Sequence, residues 1–277
     1  MSVGVAILGI ALIAITWLGS GAEPNQAAYV GGVLHSLAVM TDGGGRIFAG
    51  GHDAVTASND GGRSWVSVPS LDDADAMGWA FLDGAIWVGG HPGVQVSTDG
   101  GTTFEPRNEG LPATDIHALG GIGSTLYAAS PDAGFLVSTD EGASWQVRNP
   151  VVGHGFMGVI LVDPDDVGHV VATDMAAGIA ETVDGGRSWR PLGGVSGARW
   201  VSWDPRDRDV LLVAGAGEAV LSDDGGRTWT TVDVPAGSGI VTIDPVNPDR
   251  WYAGALTWEG TLDVSISRDA GASWSVA

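Results

Sequence analysis

The six histidines of this chain are its clearest candidates for chemistry. Five of them fall where predicted strands begin or end, and two have matching surroundings, Ala-Gly-Gly-His-Asp at 49–53 and Val-Gly-Gly-His-Pro at 88–92. The strand pattern described below brings these five to one face; they are His35, His52, His91, His117 and His154. His169, in the turn Asp-Asp-Val-Gly-His, is predicted on the opposite face. Because neutral imidazole is the commonest metal ligand, the five histidines indicate a metal site.

Methionines and carboxylates share the same strand ends. Met77 and Met157 stand at the starts of strands, and His with Met outside the cytoplasm favours copper, whereas His with Asp favours zinc. The carboxylates expected on this face are Asp53, Asp75, Asp115, Asp132, Asp174, Glu218 and Glu259. Of these, the candidates for acid, base or nucleophile in a glycosidase are Asp53, Asp115, Asp132, Asp174 and Glu259.

Three interpretations of this face stay open. The residues form a metal site, they form a carbohydrate site, or the histidines only line a wet channel and hydrogen-bond between neighbouring sheets. No short-spaced ligand motif such as His-Glu-x-x-His occurs, so the fold itself must gather any ligand set. We expect a binding module rather than an enzyme, and a glycosidase if the protein is catalytic.

An eight-residue phrase positions all of these residues. It first reads Ser-Asn-Asp-Gly-Gly-Arg-Ser-Trp at 58–65 and returns five times, with central aspartates 39 to 45 residues apart. The aspartates are Asp60, Asp99, Asp140, Asp184, Asp224 and Asp269, and the closing tryptophans are Trp65, Trp145, Trp189, Trp229 and Trp274, with Phe104 in the second copy. A fixed period of this length is typical of repeat architectures.

Each repeat unit contains four short runs rich in β-branched and aromatic residues, separated by Gly, Asp and Pro, which predict strands. Six such units fill residues 33–277, so the sequence predicts an all-β, six-bladed β-propeller with four antiparallel strands per blade. In each phrase the Asp holds a turn between the third and fourth strands, and the closing ring is expected to be buried between sheets. The phrases are therefore predicted to be scaffold on the face opposite the histidines.

The phrase resembles the Asp box of the BNR repeat, found in sialidases and related β-propellers. The Asp-Pro turns at 163–164, 204–205 and 244–245 are similar to those of photosystem-II-assembly-factor-like and xyloglucanase-like BNR proteins. The tracts 34–38, 51–53, 77–79, 90–93 and 116–119 look like a bacterial extracytoplasmic group labelled glycosyl-hydrolase-like. The resemblance implies the propeller fold and leaves the reaction open.

True sialidase activity is not expected. Sialidases bind the substrate carboxylate with three arginines and use a Tyr–Glu nucleophilic pair. Here only Arg199 stands at the start of a first strand, Tyr29 precedes the repeats, and Tyr127 and Tyr252 lie inside second strands.

Charge and the N-terminus indicate location. The formal net charge of −21 disfavours nucleic acid and anionic membrane surfaces as partners, leaving a small molecule, a metal or a glycan. Residues 3–18 are almost entirely apolar and are followed by the small residues Ser20-Gly21-Ala22. This pattern predicts a signal peptide or membrane anchor over 1–22, followed by a tether over 23–32. We expect an extracytoplasmic protein, secreted or held at the membrane by that segment alone.

Overall fold

The computed structural model describes residues 28–277, and these form an all-β structure, as predicted. Twenty-four strands and one 3₁₀ turn, Pro69–Leu71, occur within the described range. The predicted leader, 1–22, and the first half of the tether, 23–27, lie outside the described residues. In the part of the chain that is described, no helix is both long and apolar enough to cross a membrane.

The strands form five sheets. Sheet I contains β1 (Leu34–Val39), β2 (Ile47–Gly51), β3 (Val55–Ser58) and β4 (Val66–Ser67). Sheet II contains β5 (Gly78–Leu82), β6 (Ala85–Gly90), β7 (Gly93–Ser97) and β8 (Glu105–Pro106). Sheet III contains β9 (Ala118–Ile122), β10 (Thr125–Ser130), β11 (Gly134–Ser138), β12 (Gln146–Asn149), β13 (Phe156–Val162), β14 (Val170–Asp174), β15 (Gly178–Thr182) and β16 (Arg190–Gly193). Sheet IV contains β17 (Trp200–Asp204), β18 (Asp207–Gly215), β19 (Glu218–Ser222) and β20 (Thr230–Thr231). Sheet V contains β21 (Ile240–Ile243), β22 (Trp251–Leu256), β23 (Leu262–Ser267) and β24 (Ser275–Val276).

The prediction of six separate blades is wrong. Four four-stranded sheets have a propeller-like arrangement, whereas the third and fourth repeat units merge into the continuous eight-stranded sheet III. The junction is a parallel pairing of β9 with β13, in which Gly158 lies opposite Ala118. Gly158 has φ +78°, β13 is bulged between Met157 and Ile160, and the Gly158 N–H donates to the His117 carbonyl at 2.8 Å. A glycine at this bulge lets the two inner strands approach closely enough to pair.

Each repeated phrase forms the hairpin between the third and fourth strands of its unit. In the first copy Asp60 Oδ1 accepts the N–H groups of Arg63 and Ser64 at 3.0 and 2.9 Å, and its Oδ2 accepts the Ser64 hydroxyl at 2.6 Å. The Ser58 hydroxyl donates to Asp60 Oδ1 and accepts the Gly62 N–H. The Ser/Thr-to-Asp and Gly-to-Ser/Thr bonds recur in all six copies. Because antiparallel strands alternate in direction, this end of every unit also holds the turn between the first and second strands. We call it the phrase face.

The closing rings of the phrases are less uniform than predicted. Trp145 and Phe104 are buried, whereas the closing tryptophans of the other four phrases are only partly buried. An aromatic group is buried between sheets I and II, where Phe48 stacks on Trp79 with ring centroids 4.8 Å apart. Burial of such rings is a large apolar contribution to stability.

The innermost strands of the sheets surround a cavity of about 340 Å³. Its walls are mostly apolar and include Trp79, Phe81, Trp200 and Trp203. Residues 28–31 join the two ends of the repeat array. The Leu262 N–H donates to the Ala28 carbonyl, and the Val30 carbonyl accepts the N–H groups of Asp53 and Ala54. This segment therefore links sheet V to sheet I.

Candidate functional site

Four histidines and two aspartates meet where sheets I, II and III end opposite the phrase face. They stand just before or at the starts of β1, β5 and β9, or just after β2 and β6, which is the same end of each sheet. The set, called the histidine cluster below, consists of His35, His52, Asp75, His91, Asp115 and His117.

Close packing of its backbone segment places Asp75 in this cluster. Its segment, 74–76, crosses the ends of β2 and β6, and a Cβ on Gly90 would overlap the carbonyl oxygens of Ala74 and Asp75. The His91 N–H donates to the Ala74 carbonyl at 2.8 Å. A glycine is needed for this approach, which explains why Gly-Gly precedes His91. The Gly-Gly-His pattern was thus a sequence signal for a segment lying beside the histidine.

The first half of the cluster is centred on Asp75 Oδ1. This oxygen lies 3.1 Å from His35 Nε2 and 3.6 Å from His52 Nδ1. The two imidazole rings meet edge to face, with centroids 4.8 Å apart. One ligand atom from each of the three side chains falls within 4.8 Å of the others, so this group can surround a single ion.

The second half is centred on Asp115. Its Oδ1 contacts His91 Nε2 and lies 2.9 Å from His117 Nε2, and the ligand atoms of these three residues are again within 4.8 Å of one another. The two halves are joined because the other nitrogen of His91, Nδ1, lies 3.5 Å from Asp75 Oδ2.

The residues of the histidine cluster differ in their exposure to solvent. His35 and Asp75 are 7% and 4% exposed, whereas the side chains of His52 and His91 are about half exposed. His35 Nε2 and Asp75 Oδ1 are close but not aligned as a hydrogen bond. Within residues 28–277, His35 Nδ1, His35 Nε2 and Asp75 Oδ1 therefore have no hydrogen-bond partner. Buried polar atoms are nearly always paired, so each such atom needs an explanation.

Burial also sets the protonation of His35. Removal from water lowers the pKa of His35 below its ordinary value, and the nearby His52 and Arg199 lower it further, against the opposing effect of Asp75. His35 is therefore neutral at pH 7, which is the form that binds metals.

The other predicted site residues lie apart from the cluster. The ring nitrogens of His154 are 2.6 and 3.0 Å from the Pro131 and Pro150 carbonyls, and the Pro131 contact raises the pKa of His154. Asp53 accepts the Tyr29 hydroxyl at 2.8 Å, and Asp174 accepts the Ala176 N–H within its own loop. Among the remaining candidates, Asp132 and Glu259 are exposed and belong to neither ligand group, and Met77 is buried.

Met157 and Asp75 differ from the pattern that the sequence predicts. Met157 lies within β13, where its carbonyl accepts the Thr173 hydroxyl, so its backbone serves the sheet. Asp75 appeared among the carboxylates expected on this face but not among the narrower catalytic candidates. It stands at φ +47°, which the sequence pattern alone did not indicate.

His169 lies on the phrase face and is fully paired. Its Nδ1 is 3.1 Å from Asp163 Oδ2 and its Nε2 is 2.9 Å from Glu181 Oε1. Arg208 pairs with Asp163, and Arg190 pairs with Glu181. Both ring nitrogens of this histidine therefore have carboxylate partners.

Comparison with known proteins shows the fold. No family model matches the chain, and no curated protein matches its sequence. A solved GH74 xyloglucanase from Xanthomonas campestris is 17% identical, with a TM-score of 0.61 over 90% of this chain and 46% of that one. The GH74 enzyme of Niastella koreensis is 16% identical, with a TM-score of 0.62 and the same coverage. YCF48 from Cyanidioschyzon merolae is 17% identical, with a TM-score of 0.55 over 92% of this chain and 86% of that one.

These similarities identify the chain as a β-propeller protein. It spans about half the length of the xyloglucanases that it matches. At such low identity the likeness concerns the fold alone.

Proposed function

We propose that the chain is an extracytoplasmic β-propeller of the BNR, or Asp-box, type that binds a transition-metal ion at the histidine cluster. The Asp-box assignment is supported by the six phrases and by their shared hydrogen-bond pattern. The location is supported by the apolar segment at 3–18 and the acidic composition.

One observation carries the metal proposal. His35 and Asp75 are buried with three unpaired polar atoms, and His52 adds a third ligand atom within 4.8 Å. A bound cation would satisfy Asp75 Oδ1 and one ring nitrogen of His35, because a carboxylate and a neutral imidazole each donate a lone pair to it. Leaving a buried polar group unpaired costs about 1–3 kcal/mol, so an arrangement of this kind favours ligand binding over a purely structural role.

The donor set favours zinc over copper(I). Imidazole nitrogen and carboxylate oxygen are the ligands of zinc sites, whereas copper(I) prefers the thioether sulfur of methionine. Each of the two ligand groups offers two imidazoles and one carboxylate. Zn²⁺ is therefore the first ion to test, with Ca²⁺ as a hard-cation control that should not bind.

The test is a titration of the chelator-treated protein with Zn²⁺, followed by calorimetry. The double variant His52→Ala/His91→Ala removes one exposed imidazole from each half of the cluster and should bind Zn²⁺ more than about 100-fold more weakly, since even indirect partners of a metal contribute 10–100-fold. The matched variant His154→Ala/His169→Ala also removes two imidazoles and should bind like the wild type. Absence of Zn²⁺ binding by the wild type, or equal loss in both variants, would refute the proposal.

A second candidate is hydrolysis of a glycan. It is supported by the folds of the GH74 enzymes and by Asp75 and Asp115, which stand on opposite sides of the His91 ring. Two carboxylates flanking a cleft are the requirement for glycoside hydrolysis. Turnover of xyloglucan or a related β-glucan that is lost in Asp115→Asn and kept in Asp132→Asn would favour this function.

A further inference from the structure

We infer that the histidine cluster holds two metal ions, one in each of its two ligand groups. This inference rests on the proposed metal function and adds its stoichiometry. The cluster contains two ligand groups of the same composition, each with two imidazoles and one carboxylate. The groups are His35, His52 and Asp75, and His91, Asp115 and His117.

The spacing separates the groups. Zinc binds nitrogen and oxygen at about 2.0–2.2 Å, so two ligands of one ion are at most about 4.4 Å apart. The ligand atoms of each group lie within 4.8 Å of one another, so a small inward shift of the side chains brings them to this distance. The two groups are gathered separately, so one ion satisfies one group and leaves the other three donors unused.

Asp75 belongs to the first group alone. Its Oδ1 faces His35 and His52, whereas its Oδ2 lies 3.5 Å from His91 Nδ1. Asp115 contacts the other ring nitrogen of His91, Nε2, so the His91 ring stands between the two carboxylates. Burial and a positive φ fix Asp75 in place, because few residues adopt this conformation without support from their surroundings.

The accessible side of the cluster fits ions that exchange with solvent. Three protein ligands leave the fourth position of a tetrahedral zinc ion open, as in catalytic rather than structural sites. The half-exposed side chains of His52 and His91 mark the open side of the first and second groups. A small anion or water molecule is the class of ligand that would complete both sites.

Stoichiometry tests the inference. After loading with Zn²⁺ and desalting, the wild type should retain two ions per chain by elemental analysis. His52→Ala and His91→Ala, which alter exposed side chains in different groups, should each retain one. The control His169→Ala should retain two. One ion in the wild type would overturn the two-metal inference while leaving the proposed function intact, and no bound ion would overturn both.

Discussion

The polar side chains on the two faces of this propeller differ in their hydrogen bonding. On the phrase face, each repeated Asp is bonded to groups within four residues of itself, and His169 has a carboxylate on each ring nitrogen. On the opposite face, His35 and Asp75 come from different sheets and keep unpaired buried atoms. The difference indicates that the phrase face is built to fold, and that the histidine cluster is built to receive a ligand.

The same residue types therefore carry different information in the two places. An Asp that is bonded within its own turn stabilises that turn whatever else happens in the molecule. An Asp that reaches three histidines across two sheet ends contributes little to folding by itself, because its burial removes a charge from water without full compensation. Substitutions on the two faces should separate these roles.

The largest effect is expected from crowding the phrase face. Gly186 has φ +88°, and a Cβ there would overlap the Phe135 ring, so Gly186→Ala should lower the free energy of unfolding by about 4 kcal/mol through strain and overpacking. Gly217 has φ +84° and open space around it, so Gly217→Ala should lose only about 1–2 kcal/mol. Denaturant unfolding of both variants separates packing from backbone strain, and equal losses would refute the packing argument.

Removing the paired histidine should affect folding and spare metal binding. In His169→Ala the Asp163 and Glu181 carboxylates each lose a hydrogen bond but keep an arginine, so the free energy of unfolding should fall by about 2 kcal/mol. The Zn²⁺ stoichiometry should not change. A loss of bound zinc in this variant would mean that the two faces are not independent.

Replacing Asp by Asn should change the free energy of unfolding in opposite directions on the two faces. In the metal-free protein at pH 8, Asp75→Asn removes a buried charge and should raise the free energy of unfolding by about 1 kcal/mol. Asp224→Asn should lower it, since the N–H groups of Arg227 and Thr228 lose an anionic acceptor. Thermal unfolding of both variants is the measurement, and a loss of stability in Asp75→Asn would contradict the contrast.

Acid should destabilise the protein by protonating the aspartates of the repeated phrases. Hydrogen bonds, first from the Thr228 backbone N–H, lower the pKa of Asp224 from 3.8 to about 2. A depressed pKa gives stability that is complete above pH 3.8 and is lost as the pH falls through about 2. The denaturant midpoint of the wild type should decrease as the pH is lowered from 6 to 2, and that of Asp224→Asn should decrease less. A midpoint that does not change with pH would contradict the bonding of these aspartates.

Local patterns in the sequence predicted most of the sheet structure. Strand runs and turn residues repeat with the phrase, and the side-chain period of a strand follows from the backbone. The phrase also placed four of the histidines at one end of their strands, where the structure brings them together. His154 departs because a loop carries it to the Pro131 and Pro150 carbonyls.

Contacts between units could not be predicted in this way. The merger of two units in sheet III depends on one glycine bulge at Gly158, and the position of Asp75 depends on packing of its segment against Gly90. Both are contacts between residues distant in sequence whose partners have no common spacing. A repeat pattern defines each unit but not how neighbouring units meet.

Zinc-edge anomalous diffraction from crystals of the zinc-loaded protein tests the central claim most directly. The account predicts two anomalous peaks, one among His35, His52 and Asp75 and one among His91, Asp115 and His117. It also predicts no peak between His169 and its carboxylates. Peaks confined to the phrase face, or none within bonding distance of His35, would contradict the claim that the unpaired atoms of the histidine cluster serve a metal.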